Sequence, residues 1–210
     1  MTDNFDRYID FIRMIGDFPE DTEGNLPDKY YVVELVRRGK DNKDLPAANY
    51  HFKNYYIYSI NHLNKYKQEI IDICNLLKLR AYCSVNYKLM SQVALDTIAE
   101  CTRRIAMHDC RRFYSIFESA SGKFVDRGNS LWIVDVDDVT EDSTIEALEA
   151  LIDNMKSGYN KNVIYKMPTK SGIHLITHPF NLQQFNLEWN NNLLSVDIKK
   201  NHLTLLYENL

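Results

Sequence analysis

Three stretches decide how this chain is read: LWIVDVDDVT at 131–140, KMPTKSGIHLIT at 166–177 and LLSVDIKK at 193–200. Residues 131–135 are β-forming and end in an acid, so they read as a strand. Residues 143–157 suit a helix, capped by Asp142 or Ser143 and closed by Gly158. Residues 162–167 are a second strand, 168–172 a turn and 173–177 a third strand, which Pro179 breaks. Residues 181–190 suit a short helix, 194–198 a fourth strand, and 203–207 a candidate further strand. The order β-α-β-β-α-β predicts an RRM-like (ferredoxin-like) antiparallel sheet, spanning 131–207. In it the first strand lies between the third and fourth, both running against it.

That topology gathers chemistry at one place. Asp135 ends the first strand and Asp137 follows two residues later, on the same face if the chain stays extended. His174 lies near the start of the third strand and Asp197 toward the end of the fourth, so the pairing predicts three carboxylates and a histidine on one sheet face. Crowded carboxylates raise one another's pKa and repel. Hard oxygen ligands with open positions suit Mg²⁺ or Mn²⁺ and a phosphate. Without metal, Asp→Asn at Asp135 or Asp137 is expected to relieve the repulsion and raise stability.

The pattern hydrophobic-D-x-D, then S-x-x-H on a hairpin, then hydrophobic-D resembles the three motifs of the archaeo-eukaryotic primase (primase-polymerase) superfamily. Here they read LWIVDVD, KSGIHLIT and LLSVD. The resemblance covers roughly residues 131–200. It implies a template-dependent nucleotidyltransferase that adds nucleotides to a 3′-hydroxyl in DNA replication or repair. Asp135, Asp137 and Asp197 would be the catalytic metal ligands for Mg²⁺ or Mn²⁺. Ser171 and His174 would bind the triphosphate, with Lys170 beside them. The implied architecture is α+β: an N-terminal αβ module at 1–125, the RRM-like module at 126–210, and a catalytic cleft between them. Nucleoside triphosphates and a DNA or RNA template or primer are the implied partners. The chain has no zinc motif and no GxxxxGK[ST] loop, so helicase or other replication functions would come from separate proteins.

Two other readings compete. WIVDVDDVT also fits the D-x-D-x-[TV] motif of haloacid dehalogenase-like phosphatases, with Asp135 as nucleophile and Asp137 as acid/base; that fold needs parallel βα units after the motif. A non-catalytic RRM-like module would instead stack RNA bases on aromatics of its central strands. Strand 173–177 has no aromatic, and the first strand offers carboxylates, which repel phosphate. Taken singly, Asp138 reads as a turn or cap residue, His178 as structural, and Lys166, Lys170 and Lys199 as either solvated or phosphate-facing.

The remaining sequence supplies the setting. The chain has 210 residues, is 45% hydrophobic and carries a net charge of −4, ordinary for a globular protein. The charge is uneven: −5 over 1–30, +6 over 31–130, −7 over 131–160 and +2 over 161–210. A basic middle followed by an acidic segment suits a polyanion held near a cation site. Arg37, Arg38, Arg80, Arg103, Arg104, Arg111 and Arg112 are the arginine candidates for template contact. Arg80, fixed at a strand end, is the best placed, and charge reversal at Arg103 and Arg104 is expected to weaken nucleic-acid binding while leaving metal affinity alone. Upstream, Asp3 can cap a helix with Phe5, Tyr8, Ile9, Ile12 and Ile15 on one side, ended by Gly16. Strands are expected at 30–36, 50–60 and 80–86, a helix at 64–79, and one or two helices over 89–119. In the last stretch Val93, Ile98, Ile105, Phe113 and Ile116 form no single stripe. Cys74, Cys83, Cys101 and Cys110 have no metal-site spacing and read as free thiols of a reducing compartment. With no secretory signal and no membrane-length apolar run, the expected location is cytoplasmic, away from membranes.

Overall fold

Strand pairing divides the chain into two antiparallel sheets that share one core. The computed structural model describes residues 1–210 apart from 17, 23, 25–26, 40–48, 110, 124–129, 138–141, 190–194 and 210. In order, β1 (Thr2–Asp3), α1 (Phe5–Ile15), β2 (Lys29–Arg37), β3 (Tyr50–Ile57) and α2 (Ile60–Leu77) are followed by β4 (Arg80–Ser84), β5 (Lys88–Leu89) and α3 (Met90–Ala106). A 3₁₀ turn at Phe113–Ser115 leads into α4 (Ile116–Lys123). Then come β6 (Trp132–Asp137), α5 (Asp142–Asn154), β7 (Val163–Pro168), β8 (Gly172–Thr177), α6 (Leu182–Trp189), β9 (Val196–Lys200) and β10 (Leu203–Glu208). The protein is α+β. Among the described residues no helix is long and apolar enough to cross a membrane.

The first sheet runs β1-β10-β4-β2-β3, with β5 paired to β2. Period-2 alternation on β2 sorts its residues. Tyr31, Val33 and Leu35 enter the main core with Tyr8 and Ile12 of α1 and Leu63 and Ile70 of α2. Tyr30 and Val32 point the other way and meet Val93 of α3 and Ala120 of α4. Helix α1 follows its expected stripe, with Asp3 Oδ1 accepting from the Phe5 N–H at 3.0 Å and Gly16 closing it at φ 70°. Phe11 is buried too, because α1 also touches the second sheet, where Phe11 packs on Tyr165.

The second sheet runs β7-β8-β6-β9, and every pair is antiparallel. Strand β6 therefore lies between β8 and β9, both running against it, as the strand reading of 131–198 expects. One face is covered by α5 and α6: Val134, Val136 and Leu175 pack with Leu148, Ile152 and Phe185. The opposite face shares the main core through Ile133, Met167 and Ile176, and beyond them carries Asp135 and His174.

The structure corrects one expectation about this sheet. It ends at Lys200, and 203–208 does not extend it. Asn201, at φ 51°, makes the left-handed step of a tight turn, and β10 then crosses to the first sheet between β1 and β4. Leu206 and Tyr207 bury there in the main core, which is the gain that recruits the strand. Residues on both sides of the expected 125/126 boundary thus form one sheet. Cys74 and Cys83 are free and buried, and Cys101 is half-buried; Cys110 and the turn residue Asp138 lie outside the described residues.

Candidate functional site

A cleft of about 900 Å³ opens between the two sheets. Its floor comes from the first sheet. Beyond the reach of α3 and α4, the β2 face that holds Tyr30 and Val32 continues as Glu34 and Val36, next to Arg80 and Tyr82 of β4. The facing wall is the second sheet: Asp135 and Asp137 of β6, His174 of β8 and Lys199 of β9.

Register fixes the wall. Asp135 is opposite His174 on one side and opposite Asp197 on the other. Directly paired residues project to the same face, so these three side chains share it. His174 Nε2 lies 3.1 Å from Asp135 Oδ1, and its Nδ1 lies 2.9 Å from Thr204 Oγ1 of β10. An ionised carboxylate only accepts, so Nε2 carries the proton and, in the neutral ring, the Thr204 hydroxyl donates to Nδ1. The histidine is thereby buried as a tie between the two sheets.

Lys199 is the residue that sequence reasoning undervalued. Its ammonium donates to Asp135 Oδ2 and stands 3.7 Å from Asp197 Oδ2. Burial by itself would raise the Asp135 pKa. The hydrogen bonds from His174 and Lys199, with their charges, outweigh burial and hold the carboxyl well below the usual carboxylate range. The signal was available: D-x-K on a strand puts both side chains on one face. What it required was knowing that β9 pairs with β6.

The hairpin between β7 and β8 sets the mouth. The Thr169 N–H donates to the Gly172 carbonyl at 2.9 Å, which presents Lys170 and Ser171 at its tip, both lining the cleft. Gly172 pairs with Asp137, and a Cβ at Gly172 would run into the Val136 carbonyl oxygen. Only glycine lets β8 approach β6 this closely, a role the S-x-x-H spacing does not reveal.

Searches against protein-family models, curated proteins and solved structures find no match to this chain.

The site's geometry assembles the expected wall only in part. His174 lies against Asp135, Asp197 faces Asp135 in register but outside the cleft lining, and Asp137, Lys170 and Ser171 line the cleft. Among the described residues, however, no three acid, histidine or cysteine side chains are close enough to hold a metal ion. Repulsion between Asp135 and Asp197 is relieved by an ammonium in this structure. The positive charge that these two carboxylates meet is the chain's own Lys199 ammonium. The arginines divide. Arg80 lines the floor but is buried, with Nε 2.9 Å from Glu208 Oε2 in an ion pair not aligned as a hydrogen bond. Arg38 is at the edge of the cleft. Arg103 and Arg104 lie on α3, outside the lining, and both bind Glu100. Lys166 pairs with Glu149 at 2.7 Å. His178 stacks flat on Tyr159, ring centres 3.6 Å apart.

Proposed function

We propose that this chain is the catalytic core of a primase-polymerase type nucleotidyltransferase, with the second sheet as its RRM-like catalytic module. One observation carries the reading: Asp135 stands in register with His174 on one side and Asp197 on the other, and Asp135, Asp137 and His174 line a cleft wide enough for a nucleotide. In the proposed reaction a 3′-hydroxyl attacks the α-phosphorus of a nucleoside triphosphate. A new oxygen–phosphorus bond forms, the bond from the α-phosphorus to the bridging oxygen breaks, pyrophosphate leaves, and the hydroxyl proton passes to solvent.

Asp135, Asp137 and Asp197 would hold Mg²⁺ or Mn²⁺. Such ions, when bound, lower the charge of the triphosphate and activate the attacking oxygen. His174 orients Asp135 from one side while Thr204 holds the ring from the other. Lys170 and Ser171 reach toward the polyphosphate from the hairpin tip, with one cation and one hydroxyl donor. Arg38, at the edge of the cleft, is the nearest arginine candidate for a template strand, since Arg80 is buried against Glu208.

The competing readings find less support. A haloacid dehalogenase-like phosphatase needs parallel neighbours around the strand that ends in Asp135, and β6 has antiparallel ones. An RNA-stacking sheet needs open aromatics, and Tyr165 on this face is packed against Phe11. The test is a nucleotide-incorporation assay on a primed template with Mn²⁺, run beside a generic phosphatase assay. Incorporation by the wild type that is lost in Asp135→Asn and Asp197→Asn is the expected result. Phosphatase activity alone, or incorporation that survives both substitutions, would overturn the proposal.

A further inference from the structure

The cleft floor holds a carboxylate that the chemistry of the wall does not use. Glu34 of β2 lines the cleft and is half-buried. Its register partners are Tyr82 of β4 on one side and Asn54 of β3 on the other. Directly paired residues project to the same face, so Glu34 and Tyr82 stand side by side on the floor. Among the described residues the Glu34 side chain makes no hydrogen bond and no ion pair. The cations around it are turned to other acceptors. Arg38 donates to the Tyr82 hydroxyl at 3.4 Å, and Arg80 pairs with Glu208. The Lys88 ammonium, buried on β5 and within the field of Glu34, reaches Asn201 Oδ1 at 3.5 Å.

An ionised carboxylate only accepts, so what Glu34 lacks is a donor. A phosphate cannot supply one, since the two negative charges repel. The hairpin tip with Lys170 and Ser171 already offers phosphate a cation and a hydroxyl. A nucleotide whose polyphosphate lies at the wall therefore brings its nucleoside end to the floor. There the Tyr82 ring, with Leu205 as its register partner and Val36 nearby, gives the sugar an apolar rest, and Glu34 gives it an acceptor. Where a template chooses the base, the donor that Glu34 meets has to be common to all four nucleotides. Base edges differ in their donors. The ribose 2′- and 3′-hydroxyls are the same in every ribonucleotide, and an acidic side chain on the ribose is also how dinucleotide-binding folds hold it.

We propose that Glu34 receives the 2′- and 3′-hydroxyls of the incoming nucleotide and makes ribonucleoside triphosphates the preferred substrates. The inference rests on the nucleotidyltransferase reading of the cleft. A deoxyribonucleotide offers one hydroxyl where the carboxylate has two oxygens. It leaves an acceptor without a donor as the cleft fills, the cost that a site built around a hydroxyl imposes on the analogue lacking it. Guanine is the base that also presents two neighbouring donors, N1–H and the 2-amino group. A guanine site would take one base and be indifferent to the sugar, so the two assignments separate by experiment.

The test is the affinity of the whole chain for ATP, dATP, CTP, dCTP, GTP and dGTP in the presence of Mn²⁺, read by calorimetry, with incorporation of the same nucleotides measured beside it. The wild type should bind each ribonucleotide about 10- to 100-fold more tightly than its deoxy partner, the worth of one hydrogen bond to a charged group. Glu34→Gln, which keeps the shape but has one acceptor, should lose most of that preference, and Glu34→Ala all of it. Both should bind the deoxyribonucleotides as the wild type does. A merely structural role for Glu34 would weaken both sugars equally and leave their ratio unchanged, which would overturn the proposal. So would equal affinity of the wild type for ribo- and deoxyribonucleotides, even with incorporation intact, a ribose preference that survives Glu34→Ala, or binding confined to GTP and dGTP. A Glu34-dependent ribose preference without incorporation of any nucleotide would uphold this assignment and defeat the polymerase reading instead. No binding of any of the six would defeat both.

Discussion

Asp135 on β6 and Asp197 on β9 are direct register partners, and the Lys199 ammonium stands against both of their carboxylates. Two like charges held opposite each other on a sheet destabilise it. The fold meets that cost with a lysine from the same strand as one of the acids. Any other cation that enters must displace the ammonium or share the carboxylates with it.

Lys199→Met removes this resident charge. The variant should be less stable than wild type without metal, because Asp135 and Asp197 are left facing each other. Its affinity for Mn²⁺, read by calorimetry, should rise by about tenfold, roughly 1.4 kcal/mol, because the ammonium no longer competes for the carboxylate oxygens. Weaker Mn²⁺ binding in the variant would show that the ammonium assists the ion and does not compete with it.

Asp135→Asn should behave differently from the relief of repulsion that the sequence alone suggested. The ordinary carboxyl value is 3.8, and His174 and Lys199 hold this group below it, against the effect of burial. A carboxyl depressed in the folded state contributes stability above its unfolded value and loses it as pH falls through the folded one. At pH 7 the variant should therefore be less stable by about 1–3 kcal/mol, the worth of charge-assisted hydrogen bonds. In acid, below about pH 4, the gap to wild type should narrow. Urea melts at both pH values measure it, and a variant more stable than wild type at pH 7 would restore the repulsion argument.

Gly172→Ala tests the tight approach of β8 to β6. The added methyl meets the Val136 carbonyl oxygen, a backbone atom that cannot move without shifting the strand. A loss of about 1–3 kcal/mol or more is expected, as for overpacked cores. A nucleotide-dependent activity should fall further than stability accounts for, because Ser171 and Lys170 are displaced with the hairpin. A fully stable, fully active variant would mean that the pairing of Gly172 with Asp137 is loose.

Arg80 and Glu208 are both buried and form an ion pair on the cleft floor. Arg80→Met leaves the Glu208 carboxylate without its ion-pair partner in a dry setting, which should cost about 3–5 kcal/mol. Arg80→Met with Glu208→Leu should recover much of that loss. Chemical denaturation of the single and double variants checks it. Additive losses would show that the two side chains do not interact.

The second sheet was legible because its strands carry their own signals: the apolar run at 131–135 and the turn chemistry of P-T-K-S-G give both strand identity and order. The placement of Asp135, His174 and Asp197 on one face followed from that order. What the sequence hid were partners chosen by tertiary contact. LTLLY at 203–207 reads as a strand whichever sheet it joins, and its allegiance to β1 and β4 depends on where its side chains find a core. The same holds for Lys199, whose spacing gives its face but not the carboxylate it meets. Arg80 reads from sequence as a template candidate held at a strand end, and its buried partner Glu208 lies 128 residues away in the chain, out of reach of local spacing. The cluster of Asp135, Asp137 and Asp197 reads from sequence as needing an external cation, because nothing in the spacing shows that Lys199 reaches across from its own strand to Asp135.

The path of β10 bears on how the protein is made. Its place is inside the first sheet, hydrogen-bonded to β4 on one side and to β1 on the other. On a translating ribosome, residues 1–123 can collapse early, but their sheet keeps an open slot between β1 and β4 until Leu203–Glu208 has been synthesised. The second sheet, built from 132–200, can close before the first. The order of completion is thus the reverse of the order of synthesis, and the exposed edge of β4 is where a nascent chain would need protection from pairing with another chain.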